Sequence, residues 1–272
     1  MHINEVKELL HIYDAAALKK YGQNFLIDEG VLQKISASQK DKNNVVIEIG
    51  PGLGSLTRYL VQDYKQVLAY EIDPKMVKII NDTLPSVDII QGDFLKQNIS
   101  ADITKYFKET PCIISNLPYY ITTPIILKIV EDLETIKNMT FMMQREVAQR
   151  IMASPNSKEY GSLSVYLQVY FQISKVIDVS PHAFYPQPDV SSTVLSFERR
   201  SEPLYNIKDH NKFQEILRML FQQRRKTLYN NLKTHISKEQ IEDVLSNLSL
   251  KMNVRSEELS IKTIVDICNL LS

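Results

Sequence analysis

Asn44-Val-Val-Ile-Glu-Ile-Gly-Pro-Gly-Leu-Gly54 is the stretch on which the fold turns. Four of its first six residues are β-branched and apolar, the pattern of a short parallel strand covered by helices on both faces. Glycines follow at once and open a helical stretch, Ser55 to Gln62. Glycine lets the backbone turn sharply and lets a ligand approach the main chain. Read alone, such a turn is common after strands. Its spacing is G-x-G-x-G, not the G-x-G-x-x-G of dinucleotide enzymes.

Outward from that turn, similar strands are expected at Gln66–Glu71, Val87–Gln91, Cys112–Asn116 and Thr140–Gln144. Helical patterns at Pro74–Leu84 and Thr123–Asp132 separate them, with Pro74 and Pro124 in first turns, where a missing N–H costs nothing. This β-α-β-α alternation predicts an α/β, doubly wound, Rossmann-like domain. Two helices (Arg145–Met152, Leu163–Phe171) and two more strands (near Lys175–Val179 and at Ser192–Arg199) complete a seven-stranded, mostly parallel sheet. A Pro-rich link, Pro181-His-Ala-Phe-Tyr-Pro-Gln-Pro188, joins the last two. Beyond Ser201 the pattern is only helical: Asp209–Gln222, Lys226–Thr234, Lys238–Asn247 and Ser256–Leu271. The spacing of Phe213, Ile216, Leu217, Leu220 and Phe221 there is core packing. The expected domains are therefore residues 1–200 and a small all-helical domain, 201–272.

Composition narrows the classes. The 272 residues are 44% apolar and 24% charged, enough for a full core. No run approaches the ~20 apolar residues of a membrane span, and Glu5, Lys7, Glu8 and Asp14 interrupt any signal-peptide core. Cys112 and Cys268 read as reduced core residues of a cytosolic protein. The five histidines lack metal-ligand spacing, so no metal is assigned. With 32 basic and 32 acidic residues the net charge is zero, which argues against a strongly basic nucleic-acid binder. Placement of charge still matters, and local clusters must carry any such case.

The candidate site residues fall at successive strand ends. Glu71 comes 21 residues after Gly50 and can accept from both ribose hydroxyls; it is also an ordinary position for a solvated acid. Asp93 can accept from an exocyclic adenine amine while Gly92 lets the chain pass. The glycine turn with Gly50 and Gly52, then an acid, then a second acid, suits a nucleoside bearing one sulfonium and no phosphate. S-adenosylmethionine is the natural cofactor.

The fourth strand ends in Asn116-Leu117-Pro118-Tyr119. The exocyclic N6 of adenine is a poor nucleophile, because its lone pair is delocalised into the ring. The Asn116 side-chain oxygen and the Leu117 carbonyl can hold its two N–H bonds and favour the pyramidal nitrogen of the transition state. Pro118 fixes the turn, and Tyr119 can stack on the base. The same four residues also read as a proline turn with a core tyrosine. Phe184 offers a second aromatic for a flipped base, or a loop residue covering the core. Arg224-Arg225-Lys226 with Lys233 forms the clearest basic cluster, suited to phosphate contacts or simply to a solvated helix end. Arg145 can face RNA or be plain surface charge.

Tyr21-Gly-Gln-Asn-Phe-Leu26, Ile47–Gly54, Glu71-Ile-Asp73, Gly92-Asp93, Asn116–Tyr119, Gln144-Arg-Glu-Val-Ala148 and Phe184-Tyr-Pro-Gln-Pro188 occur in that order. Together they resemble the rRNA adenine N6,N6-dimethyltransferases. Leu220–Leu232 and Arg255–Ser260 are similar to the small-subunit (16S) branch. The resemblance runs from Lys20 to nearly the end of the chain. It implies dimethylation of two adjacent adenosines in a hairpin near the 3′ end of 16S rRNA, by a cytoplasmic monomer acting late in assembly of the 30S subunit. It also implies that Asn24 and Leu26 fold across the cofactor, that Gly50 lines it, and that Asn116 touches its methionine end. From the residues alone, Tyr21–Leu26 reads as a helix-entry turn. The sequence departs from the family pattern at Tyr120 (commonly Asn), Ser162 (commonly basic) and Ser191 (commonly acidic). The rival readings are a 23S rRNA adenine methyltransferase conferring macrolide resistance, DNA adenine or protein glutamine methylation, and a non-catalytic assembly factor on the same fold.

Overall fold

The computed structural model describes residues 1–18, 21–39 and 43–272; Lys20, where the resemblance begins, lies outside them. The described chain groups into two compact units, residues 1–148 with 173–199, and residues 149–172 with 200–272.

In the first unit, β1 (Val45–Ile49), β2 (Gln66–Glu71), β3 (Asp88–Gln91), β4 (Cys112–Asn116) and β5 (Asn138–Gln144) pair in parallel. They join β6 (Phe171–Val179) and β7 (Ser192–Arg199) in one seven-stranded sheet of order β3-β2-β1-β4-β5-β7-β6. β7 is antiparallel to β5. Strand order reverses between β1 and β4, and the carboxyl ends on either side of that reversal frame the crevice where open α/β sheets bind ligands.

The helices of this unit are α1 (Ile3–Ile12), α2 (Glu29–Ser36), α3 (Thr57–Asp63), α4 (Pro74–Thr83), α5 (Ile99–Tyr106) and α6 (Thr122–Asp132). Their starts have local causes. Asp73 accepts from the Lys75 N–H with Pro74 at the first position of α4, Asp28 caps α2 through Val31 N–H, and Asn98 caps α5 through Ala101 N–H. The sequence reading contained neither α1, α2 nor α5. Each is eight to ten residues long, and propensity alone barely holds so short a helix; packing does. Val6 of α1 is fully buried, in a cluster with Phe25, Leu53, Met76 and Ile79. Arg58 and Glu5 form an ion pair that fastens α1 to the start of α3.

Instead of a helix-entry turn, Phe25–Leu26 forms a two-residue antiparallel ladder with Phe184–Tyr185, and the helix starts only at Glu29. A pairing across some 160 residues leaves no local trace.

α7 (Arg145–Ile151) follows β5. The second unit gathers α8 (Ser162–Tyr170), α9 (His210–Leu220), α10 (Leu228–Leu232), α11 (Lys238–Asn247) and α12 (Ile261–Leu271). Its core holds Tyr160, Phe213, Ile216, Leu217 and Leu220 with Ile264 and Ile267. Residues 149–172 thus pack with the helices after 200, although chain order suggested a single cut near 200. Tyr160, Val165 and Val169 are the cause: their apolar side chains enter that helical core. Cys112 and Cys268 are free and buried. No described helix is long and apolar enough to cross a membrane.

Candidate active site

A cleft opens at the carboxyl ends of β1, β2, β3 and β4, with about 940 Å³ of empty space including its mouth. Its place at the strand ends, beside the reversal of strand order, is where open α/β sheets hold small ligands. Asn24, Leu26, Gly50, Gly52, Glu71, Asp93, Asn116, Leu117, Pro118 and Tyr119 all line it. Phe184 does not: its ring is 3% exposed and belongs to the core, with Leu26 opposite it in the short ladder. Burial of that apolar ring fixes the segment 25–26 from behind the cleft.

The glycine turn is shaped for close approach. Gly52 has φ +57°, and a Cβ there would meet the Phe25 ring at 3.1 Å, so a side chain would be both strained and crowded. The Gly52 N–H donates to Glu71 Oε2 at 3.0 Å, and the Asp73 N–H donates to Oε1 at 2.9 Å. Glu71 is therefore gripped on both oxygens, each with a lone pair to spare for a ligand hydroxyl. Burial pushes its carboxyl above the usual range, against the pull of the Asp73, Gly52 and Ile72 N–H groups. Asp93 accepts from the Leu95 N–H at 3.0 Å, which turns its carboxylate at the end of β3.

The segment before Phe25 is tied to the same network. Gln23 Nε2 donates to Asp73 Oδ2 at 3.1 Å, its Oε1 accepts from the Leu18 N–H at 2.8 Å, and Asn24 Nδ2 donates to the Gly22 carbonyl at 3.2 Å. These bonds hold Asn24 and Leu26 at the cleft wall.

Across the strand reversal the situation differs. Asn116 lines the cleft, and its Oδ1 is buried with no hydrogen-bond partner. A buried acceptor without a donor costs roughly 1–3 kcal/mol, which marks the atom as waiting for one. Leu117 is held by its N–H to the Met142 carbonyl at 3.0 Å. The Pro118 carbonyl takes the Thr122 hydroxyl at 3.0 Å and the Ile121 N–H at 3.2 Å. Tyr119 is half-buried, and its hydroxyl lies 2.6 Å from Ser192 Oγ at the start of β7. Burial pushes that phenol upward.

Several lining residues were not assigned to the site from sequence. Among them, Ile72 and Phe94 supply apolar faces beside the two acids, and Tyr120 stands 54% exposed at the mouth. Glu48 is 2% exposed near the end of β1, its Oε2 without a partner. Burial first, and the nearby Glu71 carboxylate second, push Glu48 up to about 8, with the Thr57 hydroxyl offsetting part of the rise. The visible signal was a lone acid inside an otherwise apolar strand. Ser192 is a further positioning residue that no local pattern pointed to.

In the helical unit the basic cluster divides. Arg224 donates to the carbonyls of Lys158 and, at 2.7 Å, Ser157, and its Nε pairs with Glu257 at 2.9 Å. It is a staple within that unit. Arg225, Lys226 and Lys233 are exposed. Arg145 is exposed at the start of α7.

A sequence model of the ribosomal RNA adenine dimethylase family matches residues 15–272. A ribosomal RNA small subunit methyltransferase A from Listeria welshimeri is 39% identical, over 97% of this chain and 94% of its own length. One from Streptococcus pyogenes is 43% identical, over 90% and 88%. Among solved structures, a dimethyladenosine transferase from Plasmodium falciparum superposes with a TM-score of 0.73 at 23% identity, covering 89% of this chain and 95% of that one. The 23S rRNA methyltransferase ErmE gives 0.68 at 25% identity, covering 91% and 99%.

Proposed function

The chain belongs to the ribosomal RNA adenine dimethylase family, and from that membership and the geometry of its cleft we propose how it acts. It transfers methyl groups from S-adenosylmethionine to N6 of adenosines in 16S rRNA, dimethylating two adjacent ones in a hairpin near the 3′ end. Its working partner is the 30S subunit or its precursor, met as a monomer in the cytoplasm. The observation that carries the reading is the unpartnered, buried Oδ1 of Asn116 in the cleft beside the glycine turn.

The residues fit the cofactor. Glu71 keeps spare lone pairs for the ribose hydroxyls, Asp93 offers a carboxylate at the next strand end, and Gly52 keeps bare backbone where a Cβ would crowd the Phe25 ring. Asn24 and Leu26 wall the site on the N-terminal side, and Gly50 lines it with bare backbone. When bound, S-adenosylmethionine supplies an electrophilic methyl carbon on a sulfonium.

The acceptor chemistry falls to β4 and its turn. Asn116 Oδ1 and the Leu117 carbonyl would accept the two N–H bonds of the amine, which withdraws its lone pair from the ring and frees it for attack. Tyr119, steadied by Ser192, stacks on the base. As the nitrogen gains carbon it becomes acidic and releases a proton to water, so no strong base is required. Phe184 backs this arrangement through the ladder with Leu26, and a second stacking face from it requires the ring to leave the core. Arg225, Lys226, Lys233 and Arg145 are exposed cations suited to phosphate contacts, with Arg224 fastening the turn that presents two of them.

The test uses purified 30S particles and radiolabelled S-adenosylmethionine. Asn116→Ala is expected to lower turnover by roughly 100- to 1,000-fold, as losing one preorganised transition-state partner does, while 30S binding stays within a few-fold. Turnover near that of the unmodified protein removes the amine-gripping role. Label entering only protein-free 23S fragments replaces the 16S reading by the 23S one.

A further inference from the structure

One residue at the cleft has no part in the chemistry above. Tyr120 follows the Asn116–Tyr119 turn, within a single 3-10 turn spanning Tyr119–Ile121. It is 54% exposed and lines the cleft. Large aromatic side chains left in water beside a ligand site are candidates for ligand contact, since stacking uses the face that solvent now wets.

Its position is specific. Tyr120 is carried by β4, on the far side of β1 from β2 and β3. Asp93, Tyr21 and Glu71 line the same cleft, and their charge adds to the upward push that burial gives its phenol. A side chain that starts beyond β1 thus shares one cleft with the acids of β2 and β3.

Its ring is seated by Gly22. That glycine has φ +61°, and a Cβ there would lie 3.4 Å from Tyr120 Cδ1 and 3.8 Å from Cε1. Gly22 in turn accepts from Asn24 Nδ2. The segment 21–26 and the 116–121 turn therefore meet over the cleft through one aromatic ring on one bare backbone.

We propose that Tyr120 is the roof of the nucleoside half of the cofactor site. Its ring, laid against Gly22, covers the adenosine moiety of S-adenosylmethionine and sets how tightly that moiety is held. This inference rests on the methyltransferase reading above. Stacking lost with the ring corresponds to about a tenfold change in affinity, toward the low end of the range for base–aromatic contacts. Because the same moiety remains after methyl transfer, the roof holds spent and fresh cofactor alike and slows exchange between rounds.

The experiment is calorimetry on the full chain with S-adenosylhomocysteine and with adenosine, beside steady-state methylation of 30S particles. Tyr120→Phe is expected to bind both ligands within twofold of the unmodified protein. Tyr120→Ala and Tyr120→Asn are expected to lose about tenfold for both, with the KM for 30S particles unchanged at saturating cofactor. Tyr120 is exposed, so melting temperatures of the variants should match the unmodified protein, and that measurement accompanies the titrations. Affinity within twofold in Tyr120→Ala overturns the proposal. A loss confined to the KM for 30S particles also overturns it, by moving the ring to the RNA side. No binding of S-adenosylhomocysteine by the unmodified protein sinks the methyltransferase reading itself, and this inference with it.

Discussion

The two ends of the cleft are prepared in opposite ways. At the β2–β3 end the acid is already satisfied: Glu71 holds two backbone N–H groups, and its neighbour Asp73 ties down Gln23. At the β4 end the Asn116 oxygen has no partner at all. The first arrangement stiffens a binding surface before any ligand arrives, so little ordering remains to be done on binding. The second leaves an acceptor unsatisfied in the free protein, so that its bond forms with the reacting amine. A pairing made only with the acceptor raises rate, whereas one made equally in every state raises only affinity.

That contrast can be broken at several points. After Asn116→Ala, the largest expected effect is that of Glu71→Ala, which removes the ribose acceptor and strands the Gly52 and Asp73 N–H groups. Affinity for S-adenosylhomocysteine should drop about 100-fold in calorimetry, in line with the loss of a charged acceptor for the ribose hydroxyls at roughly 1.5–3 kcal/mol. Binding to 30S particles should stay within twofold; a parallel loss there abolishes the division between the ends. Next is Tyr119→Ala, expected to lower kcat/KM for 30S particles about tenfold or more through lost base stacking, with cofactor affinity unmoved. Equal losses in both constants place Tyr119 in the cofactor half instead. A smaller change follows for Tyr119→Phe, which keeps the ring and frees it from Ser192: a few-fold fall in kcat with stacking intact.

The smallest functional effect is expected for Glu48→Gln, whose signature is pH-dependent stability. The folded protein raises this carboxyl from 4.5 to about 8. It therefore holds a proton there that the unfolded chain releases. Its contribution is fully present below about pH 4.5, declines as pH rises, and is gone above about 8. The slope in that window approaches about 1.4 kcal/mol per pH unit. Urea denaturation between pH 5 and 9 should show this decline in the unmodified protein and a flatter profile in Glu48→Gln. An unaltered slope in the variant assigns the pH dependence to other groups.

How much of this was legible in the chain depends on the range of the interaction. The strands of the sheet announced themselves through β-branched runs, because both faces of a parallel strand must be apolar. The helix starts with Pro74 and the glycine turn were equally local. The carboxylates at Glu71 and Asp93, and the Asn116–Tyr119 turn, were found because they sit at strand ends. What escaped was built from distant partners. The Phe25–Leu26 ladder, the Tyr119–Ser192 bond and the assignment of residues 149–172 to the helical unit each join segments far apart in sequence. Arg224 looked like one more cation among its neighbours; only the carbonyls of Ser157 and Lys158 reveal it as a fastener. Glu48 was visible as a letter, but its burial beneath the glycine turn was not.

Ser192 opens the final strand of the sheet, and that placement sets an order on synthesis. A nascent chain that has cleared the exit tunnel only through β3 already owns every residue of the ribose-binding floor. It lacks the partner that steadies Tyr119 until some hundred residues later. The growing polypeptide thus acquires its ribose acceptor well before the stacking ring of the acceptor side is steadied.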